Sequence, residues 1–452
     1  MPPSILFAQR PTSLLMRKLF IAFFLVAVSV FSRNQRDGLD GIIAARKAGF
    51  LGLPQKTLFA ELNEKCGLTK IQWGNEKHTQ ARYAKSIMDE MITFCGYSVV
   101  EVIFDFTDNL HLESCQISIY NRGDCGAWSK AQFESTQKGL AAAIEALTKK
   151  RQPILSKRKL NDSKIQQLVW RTSGFDLALR WCATDDATEY ITVNIEKRNS
   201  IQDLRDEIKT DVKARELMSQ VQKEVKGNRW IDVPMVNQGE KWYCVVAVLE
   251  RLMKYYNSSI DQHILAQIMD ADPLLGTDLN RGMEAVKDNA NKLRINVKEL
   301  EHYADASFRT ASVFESCVQD YNRLASKHKL KKVDWTRLRD SGYDVRRFIA
   351  EADSTLLLEM RAKRRPGPKR FFQSVKESVD KGIPLVWCVI IMPGELREQP
   401  SASFHLRLIN GYNEKTSEII YTDSWGYGHE KKSMSTERAW AITTKLFIIR
   451  PK

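Results

Sequence analysis

The chain has 452 residues, 43% of them hydrophobic and 27% charged, which excludes a disordered protein and exceeds what one hydrophobic core usually serves. Its formal net charge is +14 with seven histidines taken as neutral, which favours an anionic neighbourhood such as a membrane surface or a cell-wall polymer. The basic residues are spread along the chain, and the densest run, 361–370, contains Pro366-Gly367-Pro368 and reads as an exposed loop with no nucleic-acid motif beside it, so specific nucleic-acid recognition is not expected.

From the N-terminus, Arg17-Lys18 precede an apolar run from Leu19 to Phe31 broken only by Ser29, and Ser32 closes it before polar sequence begins. The run is shorter than the ~20 residues that span a bilayer. Residues 1–32 are therefore expected to be a cleaved signal peptide, with a membrane anchor as the alternative. An exported product, periplasmic, extracellular or membrane-associated, follows. Such a chain can hold disulfides, and of the eight cysteines Cys115 and Cys125, flanking a strand–turn segment, are the first pair to test. Cys66, Cys95, Cys182, Cys317 and Cys388 sit in apolar surroundings and read as buried thiols. No Cys-x-x-Cys occurs, so neither a structural zinc nor another cofactor is expected.

Residues 33–199 read as an α+β domain of unknown role. Helical sequence runs from about 38 to 96, with Pro54 in a first turn, a stop at Gly67, and a second helix from Thr79 to Cys95. Strands follow at 99–106 and 115–120, then a helix capped by Ser129 and running through Leu147. A second group of strands covers 167–170, 175–181 and 190–195. Helix, strands, helix, strands hints at a duplication without a residue-level repeat. Ser200-Ile-Gln-Asp203 resembles a capping box, and residues 200–229 read as a helical connector ended by Gly227-Asn228.

The second domain, 230–452, begins with helices at 244–256, from about Gln262, and after Gly276-Thr277. A basic helical stretch runs from Val313 to Lys381. Strands then start at Leu385, Phe404, Glu418 and Lys445. Helices followed by an antiparallel sheet make an α+β architecture.

The chemistry is concentrated in this domain. Cys244 opens a helix whose apolar stripe is Val245, Val248, Leu249, Leu252 and Tyr256. A thiol in a first turn faces unpaired N–H groups and the positive end of the helix dipole, which favour the nucleophilic thiolate. Gln238, six positions earlier, supplies a side-chain donor for a developing oxyanion. His405 heads one strand and Asp423 ends the next. Each lies nine positions from Glu414, taken as the loop centre, so a simple hairpin sets them nearly opposite, ~5 Å apart. One imidazole nitrogen can then bind the carboxylate while the other faces the thiol.

These motifs resemble papain-fold cysteine peptidases, and most nearly their double-glycine-leader (bacteriocin-processing) peptidase-like branch, over residues of about 230–452. The likeness rests on Val233-Pro-Met-Val-Asn-Gln238, Cys244, His405-Leu-Arg-Leu-Ile-Asn-Gly-Tyr412, Asp423-Ser-Trp-Gly426, and Gly276-Thr277 before a helix. It implies Cys244 as nucleophile, His405 as base, Asp423 as orienter and Gln238 as oxyanion donor, acting on a peptide or protein substrate. Asp423 stands where papain has Asn, and papain's Gly-Ser-Cys-Trp signature is absent. The basic stretch from Val313 to Lys381 exceeds a minimal domain of this branch. Two alternatives remain open at this point: an acyltransferase using the same triad, and a non-catalytic binding protein on a peptidase scaffold holding an anionic surface or polymer. Oligomeric state is not legible.

Overall fold

A computed structural model describes residues 38–85, 91–160, 163–201, 203–204, 212–236, 238, 244–258, 260, 262–269, 279–300, 303, 308, 310–393, 395 and 403–452. The expected signal peptide and the Gly276-Thr277 turn lie outside these residues, as does most of the segment expected to start the connector helix.

The N-terminal unit begins with α1 (Leu39–Arg46) and α2 (Gln55–Glu61), the second starting directly after Pro54 and passing through one wider turn to Gly67, which takes the left-handed conformation at φ 72°. The strands are β1 (Gln72–Trp73), β2 (Gln80–Ala84), the small hairpin β3 (Thr93–Phe94) and β4 (Tyr97–Ser98), β5 (Glu101–Phe106) and β6 (Leu112–Asn121). After the single turn α3 (Arg122–Cys125) comes α4 (Lys130–Thr148), where the Ser129 hydroxyl accepts from the Gln132 N–H at 3.2 Å as the expected cap. β7 (Ile154–Leu160), β8 (Ser163–Arg171), β9 (Phe175–Ala183) and β10 (Thr188–Lys197) complete an eight-stranded antiparallel sheet in the order β1-β2-β5-β6-β10-β9-β8-β7. Two helix-plus-four-strand units thus meet through their last strands, β6 and β10, which is the architectural counterpart of the helix–strands–helix–strands sequence.

Two expectations for this unit need correcting. Part of the helix expected from Thr79 to Cys95 is strand: Gln80–Ala84 pairs with β1 and β5 and is buried throughout. Ala81 and Tyr83 enter the core, while Arg82 on the other face is ion-paired with Glu101 across the ladder. The helix-favouring Ala and Arg are overruled by this pairing. Cys95 and Gly96, both at positive φ, form the two-residue turn between β3 and β4 rather than a helix end. Nor are Cys115 and Cys125 bonded: the first is buried within β6, and the second is exposed at the end of α3.

The 200–229 connector is a further correction. The described helix is only α5 (Ala214–Ser219), followed by a hairpin of β11 (Val221–Lys223) and β12 (Asn228–Ile231). Gly227, at φ 93°, serves the hairpin turn, where its N–H donates to the Glu224 carbonyl. The Gln, Lys and Glu of this segment favour a helix, but β12 gains a sheet edge by pairing with the C-terminal strands.

The C-terminal part opens with α6 (Cys244–Tyr255), α7 (Gln262–Ile268) and α8 (Leu279–Asp288), then β13 (Ile295–Glu299). Five helices occupy the basic stretch: α9 (Ala311–Lys327), α10 (Trp335–Asp340), α11 (Val345–Glu351), α12 (Ser354–Ala362) and α13 (Pro368–Val379). β14 (Leu385–Ile391), β15 (Ser403–Asn413), β16 (Glu418–Thr422) and β17 (Lys432–Ser435) precede α14 (Thr436–Ile442) and β18 (Thr443–Pro451). The sheet path is β11-β12-β15-β14-β18-β13, with β16 and β17 added on the other edge of β15. All its pairs are antiparallel, so the mixed α+β class read from the sequence describes the observed architecture. β15 is the organising strand, because β14 takes its first half, β12 its last residues, and β16 its opposite edge.

Candidate active site

α6 is buried on nearly every side from Val245 to Tyr255, so its first residue, Cys244, is held by a helix that cannot easily shift. Cys244 itself is half-buried and carries a free thiol. His405 stands on β15 opposite Val389, buried, with two-residue spacing placing Arg407 on the same face. The hairpin expected to oppose His405 and Asp423 directly differs in register. Its ladder starts at Asn413 and Glu418, and a bulge at Asn410 lies between the pairs Gly411–Ile420 and Ile409–Tyr421. Continued past Thr422, that register sets Asp423 level with Arg407 and Trp425 level with His405.

Asp423 therefore shares a face with both basic residues and reaches each of them. Its Oδ1 lies 2.5 Å from His405 Nε2 and also accepts the Ser424 N–H at 3.0 Å. Its Oδ2 accepts from Arg407 Nε at 2.7 Å. Arg407 turns a second nitrogen to Glu395 at 2.5 Å and lies over the Tyr421 ring. Burial works against the Asp423 charge, but His405 and Arg407 outweigh it and hold the carboxyl well below the usual carboxylate range. Burial likewise disfavours the His405 imidazolium, yet Asp423 and a hydrogen bond with the Cys244 side chain prevail and raise its pKa to about 9. The Trp425 ring stacks on the imidazole at 4.4 Å between centroids and 13° between planes, covering one face of the His405–Asp423 pair.

Gln238 is brought to the same strand end. Its backbone N–H donates to the Ser424 carbonyl at 2.9 Å, and its Oε1 accepts from the Ser424 hydroxyl at 2.7 Å. The amide oxygen is thus anchored beside Asp423, which turns the amide NH2 away from Ser424. All four residues singled out in the sequence are therefore tied into one neighbourhood: Cys244 to His405, His405 to Asp423, and Gln238 to the residue after Asp423.

Sequence reasoning gave no role to Ser424, Trp425 and Arg407, although they stand inside the quoted motifs, and overlooked Arg251. For Arg407 a signal existed: His405 and Arg407 share one face of an otherwise apolar strand, and two buried bases on one face require an acid. Arg251 lies outside the apolar stripe read from the sequence, yet α6 has almost no exposed face. Its guanidinium is wholly buried and donates from Nε to the Pro234 carbonyl at 2.9 Å, from Nη1 to the Asp423 carbonyl at 2.7 Å, and from Nη2 to Thr422 Oγ1 at 2.6 Å.

Residues 351–447 match the model of a family described as the Peptidase_C39 like family. This part of the chain is similar to papain-like cysteine peptidases of that group. The matched residues include His405 and Asp423 but stop short of Cys244 and Gln238, which lie on the far side of the helices α9 to α11. No curated protein matches the chain.

Proposed function

We propose that this chain is an exported cysteine peptidase in which Cys244 is the nucleophile, His405 the proton carrier, Asp423 the orienting carboxylate and Gln238 an oxyanion donor. The observation that carries this reading is the bridging position of His405, with Nε2 on Asp423 at 2.5 Å and a side-chain hydrogen bond to Cys244. With Nε2 committed to the carboxylate, Nδ1 is the nitrogen for the sulfur. An imidazolium favoured up to about pH 9 holds the proton that the leaving amine will need.

In the first half-reaction the Cys244 sulfur attacks the substrate carbonyl carbon, and the carbonyl electrons move to oxygen. The resulting oxyanion accepts hydrogen bonds from the Gln238 amide and from the Cys244 N–H, whose first-turn position leaves it without an intrahelical acceptor. His405 Nδ1 then donates its proton to the leaving amine as the C–N bond breaks, which leaves a thioester and a neutral imidazole. In the second half-reaction the imidazole takes a proton from water as the water oxygen attacks the thioester. Collapse expels the Cys244 thiolate, releases the acid product, and restores the imidazolium. Asp423 stays ionised throughout and keeps the ring in one orientation.

The reading takes the peptidase region to extend over about 230–452, beyond the matched residues, because α6 and Gln238 are tied to the His405–Asp423 hairpin. The deciding experiment is peptide hydrolysis by the Cys244→Ala protein: activity should vanish while the melting curve and circular dichroism stay those of the parent. Hydrolysis that survives this substitution would overturn the assignment.

A further inference from the structure

We propose that Arg251 is a positioning residue that locks the nucleophile helix to the strand end bearing Asp423, so that one guanidinium sets the alignment of Cys244 with His405. The inference rests on the peptidase reading above.

Arg251 lies seven residues after Cys244 on α6, which is two turns on and within about 20° of the same helix face, roughly 10 Å along the axis. Its three hydrogen bonds go to three separate places: the Pro234 carbonyl on the segment leading to Gln238, the Asp423 carbonyl, and the Thr422 hydroxyl at the end of β16. The chain entering the oxyanion side, the helix bearing the thiol and the strand end bearing the carboxylate therefore meet on one side chain. Asp423 is gripped twice, by Arg251 through its backbone and by Arg407 through its carboxylate. A displacement of its backbone moves the partner of His405 Nε2 directly.

An arginine is a costly group to bury here. The guanidinium is wholly buried, and the acceptors it touches are neutral oxygens rather than a carboxylate. Burial lowers its pKa to about 10 despite the charges of Asp423, Glu430 and Asp232, so it is less comfortable than a guanidinium in water. An apolar side chain of similar volume would leave the Pro234 carbonyl, the Asp423 carbonyl and the Thr422 hydroxyl without this donor, so melting must be read beside reactivity. What an apolar group cannot supply is a planar fork of donors in fixed directions, and a lysine ammonium, with all its donors on one nitrogen, cannot span the three acceptors.

The test uses the full chain and compares Arg251→Lys, Arg251→Met and Thr422→Val with the parent. Iodoacetamide alkylation of Cys244 is followed across pH by peptide mapping, which separates Cys244 from the exposed Cys125, and melting is recorded alongside. A misplacement near 1 Å costs about 100-fold in a positioned reaction. In folded variants, alkylation of Cys244 at neutral pH should fall by about 10-fold or more, while alkylation of Cys125 is unaffected. Thr422→Val, which keeps the side-chain shape and removes one acceptor of the fork together with the hydroxyl's own bond to the His429 carbonyl, should show the same change to a smaller degree. It decides the matter if neither Arg251 variant folds. A folded variant with the parental rate and pH profile at Cys244 would overturn the proposal. A parent Cys244 no faster than Cys125, and indifferent to His405→Ala, would instead bring down the peptidase reading and this inference with it.

Discussion

Asp423 shares its two carboxylate oxygens between cations two residues apart on β15, and it is fully buried. A carboxylate in that position is tolerable only because both charges are desolvated together and each oxygen has a donor. The consequence for catalysis lies at His405, whose pKa is raised from 6.5 to about 9. A raised pKa means that the imidazolium pairing stabilises the fold fully below about pH 6.5 and that this contribution disappears as pH climbs through about 9. In the proposed peptidase reaction the leaving amine needs the same proton. Peptide kcat/KM should therefore hold through neutral and mildly alkaline pH and decline with an inflection near 9. Asp423→Asn, which removes the charge but keeps the shape, should move that inflection down by at least one unit. An alkaline inflection that stays put in Asp423→Asn would show that Asp423 does not sustain the imidazolium.

At the scale of the element, one extra residue decides which side chains can meet. From Asn413 to Gly411, β15 pairs regularly with β16, and if that alternation continued His405 would face the side of the sheet opposite Asp423. The bulge at Asn410 reverses the phase of β15, which brings His405 and Arg407 to the Asp423 face. Asn410 is itself pinned, its Nδ2 donating to the Ile231 carbonyl at 2.9 Å. The next residue, Gly411, lies so close to β12 that an added Cβ would stand 2.6 Å from both the Arg229 carbonyl oxygen and Trp230 Cβ. Gly411→Ala should push β12 off β15 and cost about 1–3 kcal/mol, as overpacking does. Urea titration reads the stability, and the shift should also lower peptide hydrolysis, since Trp230 leads directly into the segment ending at Gln238. An unchanged urea midpoint would mean that β12 yields without cost.

Across the whole molecule, the N-terminal unit is joined to the peptidase-like part through a buried patch. Ile165, Cys182 and Tyr190 belong to the same apolar cluster as α6 and β14. The Tyr190 ring stacks on His263 of α7 at 5.0 Å, and Asn121 Nδ2 lies 3.1 Å from His263 Nδ1. At a second place the turn between β1 and β2 meets the loop after Asp423: the Glu76 N–H donates to Glu430 at 2.6 Å, and the His78 ring lies 5.9 Å from that of Tyr427. Two units so joined should unfold together. His263→Ala removes the stacking partner and leaves Asn121 without its ring acceptor, a loss of about 1–3 kcal/mol at the interface. Calorimetry should then resolve two transitions where the parent gives one. A single transition in both proteins would show that the remaining contacts suffice to couple the units.

What the sequence determined by itself was local chemistry and strongly periodic structure. The apolar stripe after Cys244 marked α6, the Ser129 cap marked α4, and the runs from Leu385, Phe404, Glu418 and Lys445 marked four strands of the second sheet. Gln238, Cys244, His405 and Asp423 could be singled out because the cysteine opens a helix, the histidine and aspartate stand at strand ends, and the glutamine leads towards that helix. What the tertiary structure decided was everything that depends on a partner far along the chain. Gln80–Ala84 and Asn228–Ile231 became strands because neighbouring strands offered hydrogen bonds that outweigh helix propensity. The face on which His405 lies followed from a bulge, which changes phase without any change in periodicity on either side of it. Arg251 and Arg407 acquired their meaning only when Asp423, well over a hundred residues from Arg251, was packed between them, because a buried charge is defined by what surrounds it and not by its neighbours in sequence.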